Sequence, residues 1–292
     1  MLQEGAKMLL NENKEQKNSD IFRKNYQLMA IDIDGTLLDN QSKIRKATCD
    51  ALQRMKEHGI TVTFATGRFY PDAFYFARML GFSCPMILLH GALIQSQDGK
   101  IIKKHELPPD SVPALIDIAK KEKIPYQIFH EDWLVMEKKT KWNDIYLSFS
   151  EIKPVIVPDI NEYLKNQKSP FSFIFLGNQQ RLARLKRIIE EKLGDSIAIA
   201  CAHPNLLEII APNVSKGTAL QELAAMKNIL LSQTIAIGDS YNDIQMLKIA
   251  GLGVAMGNAP QEVKAVADYI TKDNDNDGIA YFVSKYLAHN SN

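Results

Sequence analysis

The stretch Met29–Asp39 constrains the fold of this chain more than any other, because an apolar run ends there in two carboxylates one residue apart. Side chains alternate along a strand, so Asp32 and Asp34 are predicted to lie on the same side of its end, with Ile33 turned away. Two carboxylates this close repel each other unless they hold a cation or share a proton. The motif therefore predicts a metal or a shared proton. A structural alternative stays open, in which these residues only cap a turn after a buried strand.

Strand-like and helix-like segments alternate with short connections before residue 91 and again after residue 210. The first predicted strand ends at Ile33. Further strands are predicted over Ile60–Thr66, Met86–Leu89, Thr234–Gly238 and Gly253–Ala255. Helices are predicted between these strands. Two of them begin near Ser42 and Pro71, two others end near Lys227 and Ala250, and the last begins at Gly278. This alternation is typical of an α/β fold with a parallel sheet, in which ligands bind at the carboxyl ends of the strands. Asp32 and Thr66 both fall at such ends.

The middle of the chain has a different pattern. A hairpin is predicted around Asp98-Gly99, helices are predicted over residues 111–123 and 179–193, and short strand-like pieces surround the second helix. Residues 91–210 are therefore predicted to form an inserted α+β domain. The core would then comprise residues 26–90 and 211–292, preceded by a polar extension of residues 1–25.

Charge and cysteine usage exclude several classes of protein. The formal net charge is +1, from 35 basic and 34 acidic residues, so bulk charge does not favour nucleic acid as a partner. No apolar run approaches the roughly 18 residues that a membrane span requires, and the N-terminus shows neither a signal-peptide core nor a cleavage site. Cys49, Cys84 and Cys201 are odd in number and far apart, which predicts buried free thiols in a reducing compartment, the cytoplasm. The sequence does not indicate an oligomeric state.

Polar pieces with complementary chemistry lie at predicted strand ends or helix starts. They are Asp32-x-Asp34, Thr66-Gly67, Lys216 and Asp239-x-x-x-Asp243. Carboxylates that converge in one place repel unless they hold a hard divalent cation, and Mg²⁺ suits oxygen ligands combined with a substrate phosphate. A hydroxyl with adjacent amides, a lysine and a metal supply the donors that a phosphoryl group needs during transfer.

The motifs Asp-x-Asp-Gly-Thr, Thr-Gly-Arg, Ser-Lys-Gly-Thr and Gly-Asp-Ser-x-Asn-Asp occur in this order, with a large insertion between the second and the third. In this respect the chain resembles the haloacid dehalogenase superfamily, and more narrowly its Cof-type phosphatases, whose α/β cap occupies that insertion. The resemblance extends from about residue 27 to the C-terminus. It implies a Rossmann-like, three-layer core with a parallel sheet and an inserted α+β cap domain.

The resemblance implies that Asp32 is the nucleophile that takes up the phosphoryl group. Asp34 would be the acid that protonates the leaving oxygen and then the base that activates water. Asp32, the main-chain carbonyl of Asp34, and Asp239 would bind Mg²⁺, with Asp243 supporting the metal shell. A carboxylate nucleophile splits hydrolysis into two displacements, and an acid two residues further on can serve both halves.

The same resemblance implies a set of groups that hold the phosphate, two of which, Thr66 and Lys216, also count as catalytic. The set comprises the Thr66 hydroxyl, the amides of Ile33 and Gly67, Lys216 and Asn242. This chain departs from the family's pattern after the third predicted strand. The family usually has Asn-Gly-Ala there, and this chain has His90-Gly-Ala. The family's asparagine contact therefore cannot be assigned here, and His90 is interpreted as a hydrogen-bonded structural histidine.

These inferences predict a Mg²⁺-dependent phosphatase for small phosphorylated metabolites, such as sugar phosphates and nucleotide or cofactor phosphates. Two alternatives stay open. A phosphomutase related to the phosphomannomutases would keep the phosphoryl group on its product, and a non-catalytic regulator would only bind a phosphorylated ligand. P-type ATPases match poorly, since they carry Thr in place of Asp34 and need membrane helices. Because every motif residue lies before 91 or after 210, the inserted domain is predicted to close over the site and to set substrate choice.

Overall fold

A computed structural model describes residues 21–131, 133–148, 150, 152–201 and 203–290. These residues divide by their contacts into two compact units. The first unit contains the chain up to Val62 and from Ala224 onward, and the second contains Thr63–Leu223. The predicted domain boundaries near residues 91 and 210 follow motif positions and stay a prediction. Most of the predicted extension of residues 1–25, namely residues 1–20, lies outside the described residues.

The strands and helices alternate through most of the chain. In chain order the strands are β1 (Leu28–Ile31), β2 (Thr61–Phe64), β3 (Met86–Leu88), β4 (Leu93–Gln95), β5 (Ile101–Lys104), β6 (Tyr126–His130), β7 (Trp133–Met136), β8 (Val155–Ile156), β9 (Ser172–Leu176), β10 (Ala198–Ala200), β11 (Leu206–Ile210), β12 (Thr234–Gly238), β13 (Leu252–Ala255) and β14 (Tyr269–Ile270). The α-helices are α1 (Lys46–Glu57), α2 (Tyr70–Met79), α3 (Ser111–Glu122), α4 (Lys141–Leu147), α5 (Ile160–Leu164), α6 (Gln179–Leu193), α7 (Lys216–Met226), α8 (Ile244–Ile249), α9 (Gln261–Lys264) and α10 (Gly278–Asn290).

The first unit is built on a five-stranded sheet with the order β14, β13, β12, β1, β2, and the unit boundary falls within β2. The β1–β12, β12–β13 and β13–β14 pairs are parallel. Every residue of β1, β12 and β13 is buried, which explains why these strands are continuous apolar runs rather than alternating ones. Ile31 lies opposite Ile237, so β1 and β12 end side by side. The parallel sheet with its helices confirms the predicted α/β core.

Aromatic packing extends the core of the first unit to the start of the described chain. Phe22 is 2% exposed, and its ring centroid lies 5.2 Å from that of Tyr269 and 6.0 Å from that of Phe282. Phe282 belongs to α10, which also packs against α1. Although Phe22 falls within the predicted polar extension, it is thus a core residue.

The second unit contains two further sheets. Strands β3, β4 and β5 form an antiparallel sheet, and Gly99 (φ 84°) lies in the turn of the predicted hairpin. A six-stranded sheet has the order β10, β11, β9, β6, β7, β8 and is antiparallel except for the β7–β8 pair. Its strands lie within residues 126–210, which confirms that the inserted segment is α+β.

One face of the six-stranded sheet carries the apolar core of the second unit. Phe173, Leu207 and Ile209 on the strands pack with Leu115 of α3 and Leu185 of α6. Because side chains alternate along a strand, the residues between them point to the opposite face of the sheet. This alternation determines the direction of Glu208, which lies between Leu207 and Ile209.

Two predictions about local features are wrong. Ser42 does not cap the first helix, since α1 begins at Lys46 after Arg45 and Ser42 has φ 58° in a turn. That turn is fixed by Asp39, whose Oδ1 accepts hydrogen bonds from the amides of Gln41 and Lys43. The Asx turn places the chain reversal before the helix, so the serine lies too early to cap it.

The cysteines were predicted to be buried, and this holds for Cys84 only. All are free thiols, but Cys49 is half-buried and Cys201 is exposed. Cys201 directly follows β10, which is an edge strand, so no neighbouring strand covers it on that side. Partial burial raises the pKa of the Cys49 thiol and keeps it protonated near neutral pH. Among the described helices, none combines the length and the apolar character that a membrane crossing requires.

Candidate active site

Asp32 lies directly after β1, at the carboxyl edge of the parallel sheet. Its amide donates to the carbonyl of Ile237 at 3.0 Å, and its carbonyl accepts from the amide of Leu37 at 3.2 Å. The chain makes one wide turn over Ile33–Leu37, which begins the connection to α1. Asp32 is 5% exposed, whereas Asp34 is exposed at the outer side of the turn. The two carboxylates of the motif therefore differ in their environment, one buried and one accessible to solvent.

The turn after β1 packs onto Asp239, which follows β12. Gly35 has φ 77°, and a Cβ at this position would lie 2.5 Å from Oδ2 of Asp239. The Thr36 hydroxyl donates to Oδ1 of Asp239 at 2.8 Å. A glycine is therefore needed at position 35 both for its backbone angle and for the space that Asp239 occupies.

Asp243 is fully buried and binds the backbone of its own loop. Its Oδ2 accepts hydrogen bonds from the amides of Asp239 at 3.0 Å and of Ser240 at 2.9 Å. A Cβ on Gly238 would lie 2.5 Å from Cγ of Asp243, so the carboxylate is seated against the end of β12. Asp243 thus holds the loop that carries Asp239, and its predicted role in supporting a metal shell stays a prediction.

Asp32, Asp239 and Asp243 form a carboxylate cluster that fits a metal ion. One oxygen from each lies within 4.8 Å of the others, and no other metal-binding group is found among the described residues. Hard oxygen donors without a thiolate or imidazole suit Mg²⁺ or a similar cation. The Asp34 side chain is not a member of this cluster; its predicted metal contact is through the main-chain carbonyl.

Asn258 was not predicted as a site residue. Its Nδ2 donates to the carbonyl of Gly35 at 2.9 Å and to Oδ2 of Asp239 at 3.3 Å. It therefore ties the turn after β1 to the loop after β12. Its position could have indicated this role, since Gly257-Asn258 follows β13 at the same edge of the sheet. The sequence of this segment by itself indicates only a turn. Asn242, which was predicted, accepts a hydrogen bond from the Ser240 hydroxyl at 3.0 Å.

In the second unit, Thr66 begins a tight turn after β2. Its amide donates to the carbonyl of Ile87 and its carbonyl accepts from the amide of His90, both at 2.9 Å. The Thr66 Oγ1 accepts from the amide of Arg68 at 3.1 Å, so the hydroxyl can still donate its proton to a ligand. Thr66 is fully buried. The turn has the hydroxyl and amide chemistry of an anion site, as predicted for Thr66 and Gly67.

Lys216 is the first residue of α7 and is 1% exposed. A buried ammonium group is costly unless it is paired, so this lysine is not an ordinary surface residue at a helix start. Ser215 and Thr218 cap the helix reciprocally: Ser215 Oγ accepts from the Thr218 amide and Thr218 Oγ1 accepts from the Ser215 amide, each at 3.0 Å. The Ser-Lys-Gly-Thr motif therefore fixes the backbone that carries Lys216.

The comparisons with known proteins agree with this chemistry. The family model for haloacid dehalogenase-like hydrolases matches residues 29–283. Phosphatase YwpJ of Bacillus subtilis (strain 168) is 28% identical over 283 residues, covering 89% of this chain and 99% of the relative. The 5-amino-6-(5-phospho-D-ribitylamino)uracil phosphatase YwtE of the same organism is 27% identical over 285 residues, covering 89% and 98%.

A solved structure supports the same assignment. A haloacid dehalogenase-like hydrolase from Bacteroides thetaiotaomicron has a TM-score of 0.80 and 27% sequence identity, covering 89% of this chain and 99% of its own. The family match and the relatives cover nearly all of the described chain. The chain therefore belongs to the haloacid dehalogenase-like hydrolases, and it is a phosphatase of that family.

Proposed function

We propose that this protein is a Mg²⁺-dependent phosphatase that hydrolyses small phosphorylated metabolites through an aspartyl-phosphate intermediate on Asp32. The observation that carries the proposal is the cluster of Asp32, Asp239 and Asp243 at the carboxyl edge of the parallel sheet. Carboxylates packed this closely repel each other, and a divalent cation bound between them offsets that repulsion.

In the first half of the reaction, a carboxylate oxygen of Asp32 attacks the phosphorus atom of the ester. A new O–P bond forms to Asp32, and the bond between phosphorus and the ester oxygen breaks. Asp34 gives its proton to the departing oxygen, so the product leaves as a neutral alcohol. The exposure of Asp34 supports this role, because the residue has to reach a leaving group that enters from solvent.

In the second half, a water molecule attacks the phosphorus atom of the aspartyl phosphate. Asp34, now ionised, takes up one proton of the water as the new O–P bond forms. The bond between phosphorus and Asp32 then breaks, which releases inorganic phosphate and restores both carboxyl groups to their starting states. One residue serves as acid and then as base because the second displacement reverses the proton transfer of the first.

Mg²⁺, when bound, neutralises the carboxylate cluster and offsets the charge on the phosphoryl oxygens. Asp32, Asp239 and the carbonyl of Asp34 would hold it. Asp243 would act through the loop amides that it already binds. Thr36 and Asn258 would keep the Asp239 carboxylate in place through their hydrogen bonds to its two oxygens.

The phosphoryl oxygens would be bound by donors that the family membership assigns to one cradle. These donors are the Thr66 hydroxyl, the amides of Ile33 and Gly67, Lys216 and Asn242. Support from the chain itself comes from Thr66, whose buried hydroxyl accepts from the Arg68 amide and can still donate its proton to a phosphoryl oxygen. An ammonium charge beside the phosphoryl group would lower the free energy of the transition state.

The substrates would be phosphate esters of small metabolites. YwtE, by its name, acts on a phosphorylated ribitylamino-uracil, and other relatives are named as phosphatases without a substrate. We infer the class of substrate from them and not the individual compound. A turnover screen against sugar, nucleotide and cofactor phosphates would rank the candidates.

The test is turnover of an aryl phosphate by the parent protein and by Asp32→Asn. The substitution keeps the shape of the side chain and removes the attacking carboxylate, so turnover should fall on the order of 10³-fold or more. Asp50→Asn is the matched control, because Asp50 is an exposed aspartate on α1 whose partner is Lys46. Asp32→Asn activity within tenfold of the parent would refute the nucleophile assignment.

A further inference from the structure

His90 and Glu208 form a buried pair of titratable side chains that the proposed reaction does not use. The His90 Nε2 and Glu208 Oε1 atoms are 3.0 Å apart, and the two residues are 2% and 5% exposed. A carboxylate is costly to bury unless a polar or charged partner accompanies it. Glu208 is therefore unexpected in a strand whose other residues are apolar, and the His90 ring is the ion-pair partner that accompanies it.

The His90 ring lies directly against Gly67. A Cβ on Gly67 would overlap with Cε1 of the ring and would lie 2.6 Å from Nε2. Gly67 has an ordinary backbone angle, so the glycine is needed there because of the histidine ring and not because of φ. The main chain of His90 supports the same turn, since its amide donates to the carbonyl of Thr66. Ring and backbone of one residue thus both contact the Thr66–Gly67 turn.

The backbone at His90 is in the left-handed region, with φ 56° and ψ 21°, and Leu89 before it has φ 46°. Two consecutive residues in this region are costly for side chains other than glycine, and they persist only where the surroundings hold them. The next residue, Gly91, packs closely on the Ser215 carbonyl at the start of α7. The segment that carries His90 is therefore confined between the Thr66–Gly67 turn and the helix that begins with Lys216.

Glu208 supports the ring from the inserted sheet. Leu207 and Ile209 belong to the apolar core with α3 and α6, so Glu208 points to the opposite face of the sheet. Its carboxylate meets the edge of the His90 ring, and the ring in turn meets Gly67. A continuous series of contacts thus runs from strand β11 through an imidazole to the Gly67 backbone.

We propose that His90 and Glu208 are positioning residues that hold the Thr66–Gly67 turn in the geometry required to bind the phosphoryl group. The inference rests on the proposed role of this turn in phosphate binding. When the Glu208 carboxylate is lost, the ring is no longer held, and the Gly67 amide and the Thr66 hydroxyl lose their alignment. The carboxylate cluster lies in the other unit and makes no use of this pair, so binding of Mg²⁺ is unaffected.

The experiment uses the full chain with saturating Mg²⁺, an aryl phosphate as substrate and inorganic phosphate as a competitive inhibitor. Glu208→Gln should raise the inhibition constant of inorganic phosphate about tenfold or more and lower kcat/KM by about 10²-fold, because a small misplacement of binding groups has an effect of this size. The Mg²⁺ concentration for half-maximal turnover should stay that of the parent. His90→Gly should act alike, since glycine tolerates the left-handed backbone but has no ring to contact Glu208 and Gly67.

A second His–Glu pair in the same unit provides the control. His105 Nε2 and Glu222 Oε2 are also 3.0 Å apart, but both side chains are more than a quarter exposed, and Glu222 lies on α7 itself. Glu222→Gln should leave the phosphate inhibition constant unchanged. The double variant His90→Gly/Glu208→Gln should lose no more than either single variant, since the two residues act as one unit.

Two results would overturn the proposal. One is a Glu208→Gln protein with a lower thermal midpoint and a parental inhibition constant for phosphate, which would leave the pair a purely structural role. The other is an equal effect of Glu208→Gln and Glu222→Gln. If Glu208→Gln does not fold, His90→Gly decides by the same measurements. Failure of the proposed function is distinguishable, since the parent would then not turn over the aryl phosphate or Asp32→Asn would remain active.

Discussion

Gly35 and Gly59 have nearly the same backbone geometry in very different surroundings. Their φ angles are 77° and 79°, so both are in the left-handed region that glycine adopts without strain. A Cβ on Gly35 would lie 2.5 Å from the Asp239 carboxylate, whereas nothing lies within 4 Å of a Cβ on Gly59. An alanine at either position strains the backbone, but only an alanine at Gly35 also takes up the space of the Asp239 carboxylate. Comparing the two substitutions therefore distinguishes the two effects.

We predict that Gly35→Ala raises the Mg²⁺ concentration for half-maximal turnover at least about tenfold, because the new methyl group displaces Asp239. Gly59→Ala should lower the free energy of unfolding by about 1 kcal/mol and leave the Mg²⁺ dependence unchanged. Titration of turnover with Mg²⁺ and chemical denaturation of both variants check this. A parental Mg²⁺ dependence in Gly35→Ala would contradict the placement of Asp239 in the metal site.

At the scale of elements, the start of α7 fixes the backbone of Lys216, a proposed phosphate ligand. Lys216 is the first helical residue, and its backbone is held by the reciprocal hydrogen bonds of Ser215 and Thr218. The helix α6 starts in a comparable way, since the Asn178 side chain accepts from the amide of Arg181 at 2.9 Å. Both caps stabilise a helix, but only the first is next to a proposed phosphate ligand.

We predict that Ser215→Ala and Asn178→Ala each lower the free energy of unfolding by about 1 kcal/mol, the usual contribution of an N-cap. Ser215→Ala should in addition lower kcat/KM for an aryl phosphate several-fold, because the Lys216 ammonium group is no longer well placed. Asn178→Ala should leave kcat/KM unchanged. If the two variants differ from the parent in stability alone, the helix start does not position Lys216.

Elements with a strong local signal were predictable from the sequence. The helix Gln179–Leu193 has its cap at Asn178 and an apolar stripe of Leu182, Leu185 and Ile189, and it forms over the predicted residues. The hairpin at Gly99 formed for the same reason, because its turn residues and flanking strands are local. Strand β8 and helices α4 and α5 were not predicted, since they are short and depend on tertiary contacts, which for β8 are its pairing with β7.

The residues of the candidate site also divide into those that the sequence could predict and those that it could not. Asp32 and Asp239 were predictable because each directly follows an apolar strand, and the parallel register aligns those strand ends. Thr36 and Asn258 act by hydrogen bonds to Asp239, and those contacts link residues far apart in the chain. No local pattern marks such pairs. The contact between His90 and Glu208 was missed for this reason, since the two residues are more than a hundred positions apart in the chain.

At the scale of the whole molecule, the proposed metal site predicts that stability depends on Mg²⁺. Asp32, Asp239 and Asp243 bring three carboxylates close together, and a bound cation would offset their mutual repulsion. A ligand that binds only the folded chain stabilises it, by about 2.7 kcal/mol at a concentration of 100 times its Kd. Folding and metal binding are therefore linked.

We predict that Mg²⁺ raises the thermal midpoint of the parent protein, and that NaCl of the same ionic strength does so much less. Asp32→Asn removes one negative charge without changing the shape of the side chain. It should raise the midpoint measured in EDTA and reduce the shift that Mg²⁺ produces. Equal shifts with MgCl₂ and NaCl would argue against a specific cation site.

The most direct measurement of the central claim is the detection of a phosphoryl group on Asp32. In Asp34→Asn the second displacement lacks its base, and an aryl phosphate whose leaving group needs no proton can still react in the first. Brief incubation of this variant with Mg²⁺ and the aryl phosphate, acid quenching and mass spectrometry of the peptides should show one phosphoryl group added at Asp32. The double variant Asp32→Asn/Asp34→Asn should show none. A phosphoryl group on another residue, or turnover by the double variant, would contradict the account.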